Sequence, residues 1–245
     1  MPRLTDLESN TLPTGNYGFS GQRIEDLGAT EYTLVTIAVD DSSSVSGFRT
    51  EMQKCVQEAV KACKFSPRAD NLMIRVVTFG SEFHEFHGFK LLSNINLNDY
   101  ASLLGKGGMT SLYDATENSV EASSAYAEKL TSNDFDVNGI VVVITDGDEN
   151  HSKTTLTRVV KAFKTALASE KMESLVSILV GVNINDAHIS GRLNSFRGDV
   201  GFTQYVEVDN ATASTLAKLA DFVSKSISAQ SQALGTGGPS KSLSF

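Results

Sequence analysis

Thr33-Leu34-Val35-Thr36-Ile37-Ala38-Val39 runs without a break into Asp40-Asp41-Ser42-Ser43-Ser44. The first seven residues are rich in β-branched side chains and contain no Gly or Pro. This is the pattern of a strand buried on both faces at the centre of a parallel sheet. In an extended loop, residues two apart project to the same side, so the Asp40 carboxylate and the Ser42 and Ser44 hydroxyls can converge on one point. Three oxygens on one point suit a hard cation such as Mg²⁺ or Mn²⁺. Taken alone, however, the pentapeptide reads as a helix N-cap, with Ser46 before Gly47-Phe48-Arg49 as the capping residue. The cation reading needs support from other loops.

The composition narrows the field. With 245 residues, 40% of them hydrophobic and 20% charged, the chain can bury a substantial core. A net charge of −8 argues against binding nucleic acid through its phosphates. Cys55 and Cys63 fall in one expected helix, roughly 12 Å apart at about 1.5 Å per residue, too far for a disulfide. They read as buried thiols of a reducing compartment. Met1-Pro2-Arg3-Leu4-Thr5-Asp6 has no apolar signal region, and no segment approaches the roughly 20 apolar residues that span a bilayer. The expectation is a cytoplasmic protein with no membrane and no nucleic-acid partner.

Outward from the central strand, residues 1–30 are polar and punctuated by Pro13, Gly15, Gly18, Gly21 and Gly28. They read as an extension that could hold a short hairpin through Tyr17-Gly18-Phe19 and Arg23-Ile24-Glu25, or as a partner-binding arm. Gly47 to Lys64 has helical periodicity, with Phe48, Met52, Cys55, Val56, Ala59, Val60 and Cys63 on one face. Leu72 to Phe79 is a second buried strand. A two-residue Gly80-Ser81 turn makes His84 to Phe89 its antiparallel neighbour, at the sheet edge. His84 and His87 are an odd number apart, so they point to opposite faces and read as an exposed edge, not a metal pair. An irregular or briefly helical stretch from Asn94 leads to Gly105-Lys106-Gly107-Gly108-Met109-Thr110, and a helix follows to about Leu130. Gly139 to Thr145 is a second central strand and, like the first, it stops at an aspartate, Asp146. Next come a helix (153–171), a strand (175–182), a short helix (187–194), a strand (201–208) and a last helix (213–227). A Ser/Gly-rich tail expected to be flexible, 228–245, closes the chain. The expected fold class is α/β: a doubly wound, mostly parallel sheet with one antiparallel edge strand and helices on both faces.

Asp40-x-Ser42-x-Ser44, Thr110 within Gly-Gly-Met-Thr, and Thr145-Asp146-Gly147 then share one edge of the sheet, where ligands bind in such folds. Together these loops resemble the metal-ion-dependent adhesion site (MIDAS) of von Willebrand factor A (vWA) domains. The resemblance covers residues 31–227 and implies a Rossmann-like vWA fold. It implies that Ser42 and Ser44 coordinate the cation, that Asp40 and Asp146 bind it directly or through water, and that Thr110 joins or leaves the site as the domain changes state. The cation would be Mg²⁺, or Mn²⁺ or Ca²⁺, and its open position would take an Asp or Glu carboxylate of a partner protein. Asp41 stands where the family often has a small residue, and Asp148, Glu149 and His151 follow the last ligand. Asp41, Met109 and Asp148 are the positions expected to meet the partner, although the acids could equally be solvated loop charge.

The resemblance implies a non-catalytic interaction module of the stand-alone intracellular prokaryotic or phage type. As an adaptor it would work with AAA+ ATPases of the MoxR type. A structural component of a larger assembly or phage particle is the alternative. A Mg²⁺-dependent hydrolase fits less well: a phosphatase of the haloacid-dehalogenase type needs a second acid two residues after the nucleophilic Asp, and here Ser42 occupies that place. No Gly-x-Ser-x-Gly elbow is present. Arg197-Gly198-Asp199, the tripeptide integrins recognise, reads as a coincidence in a turn.

Overall fold

The computed structural model describes residues 7–12, 17–184, 186–240 and 243–245; Met1 to Asp6, Pro13 and Gly15 lie outside the described residues. Among the described residues, eight strands form one sheet: β1 Leu7–Asn10, β2 Phe19–Gln22, β3 Glu31–Asp40, β4 Leu72–Phe79, β5 Phe83–Leu91, β6 Asp136–Thr145, β7 Leu175–Val182 and β8 Gln204–Val208. The spatial order is β1-β2-β5-β4-β3-β6-β7-β8. The run from β4 through β8 is parallel, and β5 is antiparallel to β4, as expected from the short turn. After β3 the chain builds β4 and β5 on one side and then returns to β6 on the other. The order therefore reverses between β3 and β6.

Among the described residues, five α-helices cover the sheet: α1 Arg49–Cys63, α2 Leu112–Thr131, α3 Leu156–Ala168, α4 Ala187–Val200 and α5 Ala213–Thr236. Alternation along the strands assigns the faces. Val35, Ile37 and Val39 of β3 pack with Met52, Val56 and Val60 of α1 and with Leu216, Leu219 and Val223 of α5. Ala38 joins Val141 and Val143 against α2, α3 and α4, through residues such as Leu112, Phe163 and Leu193. Burial on both faces explains why β3 and β6 are nearly continuous in apolar residues.

Four expectations change. The N-terminal hairpin exists but joins Leu7–Asn10 to Phe19–Gln22, not Tyr17–Phe19 to Arg23–Glu25. It extends the sheet beyond β5 through one parallel pairing, Gly21 with Phe89. Because β2 covers it, β5 is less exposed than an edge strand. His87 bonds the Tyr100 hydroxyl at 2.8 Å and the Gly88 carbonyl at 2.9 Å, and burial pushes its pKa down to about 4. A fully buried Arg75 ties the same corner, with Nε at 2.6 Å from Glu85 and Nη2 at 2.9 Å from Asn118 Oδ1. Glu85 also accepts the Ser20 amide and hydroxyl. Third, α5 continues past Ile227 to Thr236, because Gln230, Ser231 and Leu234 are buried. Fourth, Arg197-Gly198-Asp199 lies in the last turns of α4, not in a turn between elements. Cys55 and Cys63 are free and buried, as expected. Among the described residues no helix is long and apolar enough to cross a membrane.

Candidate cation site

β3 and β6 both end at the sheet edge where the strand order reverses, and both deliver a carboxylate there. Asp40 is fully buried. Its Oδ1 accepts the Ser42 amide at 2.8 Å and its Oδ2 accepts the Thr145 hydroxyl at 2.6 Å. Ser44 Oγ donates to Asp146 Oδ1 at 2.7 Å, which leaves Ser42 Oγ to donate to Ser44 Oγ at 2.9 Å. Thr145, Asp40, Ser42, Ser44 and Asp146 are thus linked in one hydrogen-bonded chain, in which the Ser42 backbone amide makes the step from Asp40 and hydroxyl and carboxylate oxygens make the others. A short 3-10 turn, Ser43–Gly47, follows Ser42 and turns the backbone so that Ser44 stays at the site. Phe48, not Ser46, precedes α1, and its side chain makes no capping hydrogen bond. The serines serve the loop and not a helix N-terminus.

The electrostatics of this cluster are unbalanced. Burial, and then the Asp146 charge, push the Asp40 pKa up to about 6. Asp146 is also raised by burial, against the lowering effect of the Ser44 bond. Among the described residues neither carboxylate has an ion-pair partner. A buried carboxylate beside a second one is costly unless a positive charge offsets it. No three His, Cys, Asp or Glu side chains converge among the described residues, so the donor set is two carboxylates plus hydroxyls. Oxygen donors without sulfur or imidazole fit a hard divalent cation.

Thr110 stands beside this chain but outside its hydrogen bonds. A Cβ on Gly147 would lie 3.8 Å from Thr110 Oγ1, which puts the hydroxyl next to the Asp146 loop. Its backbone is clamped to the same loop. Thr110 N donates to Asn150 Oδ1 at 2.8 Å, and its carbonyl accepts the Asn150 and His151 amides at 3.0 and 3.1 Å. Glu149 accepts the Tyr113 amide at the start of α2 at 2.8 Å and the His151 amide at 2.8 Å. In the reverse direction, Asp114 of α2 accepts the Lys153 and Thr154 amides at 3.1 and 2.8 Å.

The three positions expected to meet a partner separate. Met109 is 47% exposed on the loop beside Thr110. Asp148 is paired with Arg192 of α4, and both line a groove of ≈ 620 Å³ next to the site. Asp41 is corrected: only 2% exposed, it points away from solvent and bonds the Gly105 and Lys106 amides. A buried carboxylate takes the nearest donors, and here those are backbone amides of the neighbouring loop. Sequence reasoning did not single out Thr145, Asn150 or Asp114 as site residues. Thr145 had a signal, as a hydroxyl at a buried strand end directly before Asp146; Asn150 and Asp114 act only through tertiary contacts.

A doubly wound sheet with a buried aspartate and paired serines at its switch point defines a class of α/β binding domains. The chain belongs to the von Willebrand factor type A domain family, whose model matches residues 35–225. Among solved structures it is similar to the D319A mutant of the PilB minor pilin from Streptococcus sanguinis, at 13% identity and a TM-score of 0.61. That match covers 89% of this chain and 66% of the pilin. The open conformation of the SpaC pilus adhesin from Lactobacillus rhamnosus GG gives a TM-score of 0.62 at 11% identity, covering 86% of this chain and 31% of the adhesin. Proximal thread matrix protein 1 from the mussel byssus, in a structure with a zinc-occupied MIDAS motif, gives 0.54 at 17% identity, covering 81% and 46%. These likenesses show a shared fold, and this chain spans less than two thirds of each of those chains. A search of curated proteins gave no match.

Proposed function

We propose that this domain is a non-catalytic protein-interaction module that takes a divalent cation at the Asp40 site and, through it, a carboxylate of a partner protein. The observation that carries the reading is the connected chain Thr145–Asp40–Ser42–Ser44–Asp146, whose two carboxylates have no ion-pair partner among the described residues. Asp40, Ser42, Ser44, Asp146 and Thr110 would hold the cation, with Mg²⁺ the first choice and Mn²⁺ and Ca²⁺ the alternatives. When bound, such a cation supplies positive charge and an open position for an outside oxygen. The protein's own part is to keep Asp40 ionised through the Ser42 amide and Thr145 hydroxyl, to aim Ser42 and Ser44, and to keep Thr110 beside Asp146. Met109 offers an exposed apolar contact at the rim.

The non-catalytic reading is supported by Ser42, a hydroxyl bonded to Ser44 where a hydrolase of the aspartyl type needs an acid. We further propose a cytoplasmic, stand-alone domain that acts as an adaptor in a multi-protein system with a MoxR-type AAA+ ATPase. A structural role in a larger assembly, such as a phage particle, is the second reading, favoured by fold neighbours described as pilus and byssal-thread proteins.

Calorimetric titration with Mg²⁺, Mn²⁺ and Ca²⁺ tests the site, and wild type and Asp40→Ala should differ by complete loss of binding. Partner capture by wild type and Thr110→Ala, each with Mg²⁺ and with EDTA, tests the interaction. Retention of the same partners in all four conditions would place binding elsewhere on the surface.

A further inference from the structure

The pentapeptide Asp40-Asp41-Ser42-Ser43-Ser44, which starts at the last residue of β3, has two faces, and only one of them looks at the cation site. Asp40, Ser42 and Ser44 form the connected chain described above. Asp41 and Ser43, the residues between them, turn the other way and hold the loop that carries Thr110. Asp41 Oδ1 and Oδ2 lie 2.8 and 3.0 Å from the Gly105 amide, and Oδ2 lies 2.9 Å from the Lys106 amide. Ser43 N donates to the Gly108 carbonyl at 2.9 Å, and Gly108 N donates back to Ser43 Oγ at 3.0 Å. Arg49 Nε sits 3.7 Å from Asp41 Oδ1, the one basic group against this carboxylate among the described residues.

The loop is shaped to receive these bonds. Gly107 and Gly108 have φ of +72° and +109°, which side-chain-bearing residues rarely adopt. A Cβ on Gly108 would fall 2.3 Å from Ser81 Oγ, and one on Gly80 would fall 2.7 Å from the Gly107 carbonyl. Met109 N donates to Ser81 Oγ at 2.9 Å, one residue before Thr110. Consecutive amides curled around a carboxylate form an anion-binding nest, and here the anion is a side chain of the chain itself.

We infer that Asp41 is a positioning residue: through the Gly105–Gly108 loop it fixes where Thr110 stands relative to Asp40, Ser42, Ser44 and Asp146, with Ser43 as its helper. This rests on the cation-site reading. The strand end and the 3-10 turn that follows it thereby give one pentapeptide two tasks, with even-numbered side chains as ligands and odd-numbered ones as the support of a ligand on a distant loop.

The test is a double-mutant cycle on cation affinity, read by calorimetry with MnCl₂ and MgCl₂ on the full chain. Asp41→Asn, Thr110→Ala and the double variant are compared with wild type, with circular dichroism confirming the fold of each. Supporting groups behind metal ligands typically change affinity by roughly 10–100-fold, and Asp41→Asn should lose about that much. If Asp41 acts through Thr110, the double variant binds no more weakly than Thr110→Ala alone. Losses that multiply, or an Asp41→Asn variant with wild-type affinity, overturn the inference while leaving the site reading intact. Failure of the wild type to bind either cation overturns both. Should Asp41→Asn not fold, Ser43→Ala replaces it: it removes the Gly108 acceptor from an exposed position, and the same non-additivity with Thr110→Ala decides the outcome.

Discussion

Replacing Asp40 with Asn should make the cation-free protein more stable while destroying cation binding. Asp40 is fully buried, and its pKa is raised from 3.8 to about 6, first by burial and then by Asp146. At about 1.4 kcal/mol per pK unit, holding this carboxylate ionised at neutral pH costs the fold about 3 kcal/mol. The amide keeps the Ser42 N–H bond through its oxygen, and its NH₂ faces Thr145 Oγ1, which must then accept instead of donate. That rearrangement costs about 1 kcal/mol. The net gain is about 2 kcal/mol, or roughly 4–8 °C in Tm for a domain of this size.

The sign of the pH dependence follows from linkage. The folded state holds the Asp40 proton more tightly than the unfolded chain does, so the wild type loses this contribution as pH rises from about 4 to about 6. The two proteins are therefore compared in EDTA by thermal melting across that range. At pH 7.5 the variant should melt higher; near pH 4 it should melt slightly lower, because only the hydrogen-bond cost remains. Addition of Mg²⁺ at pH 7.5 should raise the wild-type Tm and leave the variant unchanged. A variant that melts below wild type at pH 7.5 in EDTA, or a gap that does not vary with pH, would show that Asp40 is not an uncompensated buried charge.

Three further outcomes follow from packing. Glu85→Ala leaves Arg75 buried without its ion-pair partner and should cost about 3 kcal/mol in urea denaturation; near-zero loss would mean that water reaches Arg75. Gly88→Ala puts a Cβ 2.1 Å from the Ser20 carbonyl, so the β1–β2 hairpin should leave the sheet, and limited proteolysis with mass spectrometry should find new cuts within residues 7–30. Truncation after Ile227 removes Gln230, whose carbonyl accepts Asn138 Nδ2 at 2.7 Å and whose side chain reaches Ser174 Oγ at 2.8 Å. With the buried Leu234 lost as well, the penalty is about 3–5 kcal/mol, and a truncated chain as stable as the full one would show that the extension is not part of the fold.

The central strands were legible because burial on both faces leaves a continuous apolar run that few other elements produce. The convergence of Asp40 and Asp146 was legible because two buried strands end in the same residue type at one sheet edge, whereas Ser44 is kept beside them by the 3-10 turn at Ser43–Gly47 and not by an extended loop. The end of α5 was not: Ser228 to Thr236 is polar by composition, and its burial depends on Asn138, Ser174 and Arg68. The hairpin register was misplaced because Tyr17 and Ile24 look apolar enough to pair. The true partner of Phe19 is Asn10, chosen by contacts with β5 and Tyr126 that lie far away in the chain. Asp41 was taken for a surface acid because nothing local reveals that the Gly105 and Lys106 amides surround it.

The exchange between Glu149 and Asp114 has a mechanical consequence. Each carboxylate holds the other's backbone, Glu149 at the first turn of α2 and Asp114 at the stretch after β6, and Asn150 adds a third tie to Thr110. Two segments that are distant in sequence are thus riveted into a single plate. Thr110 rides on that plate with Asp146, and its own loop is bonded to Asp41 and Ser43 on the β3 side as well, so a displacement of either segment is transmitted to the other through Thr110.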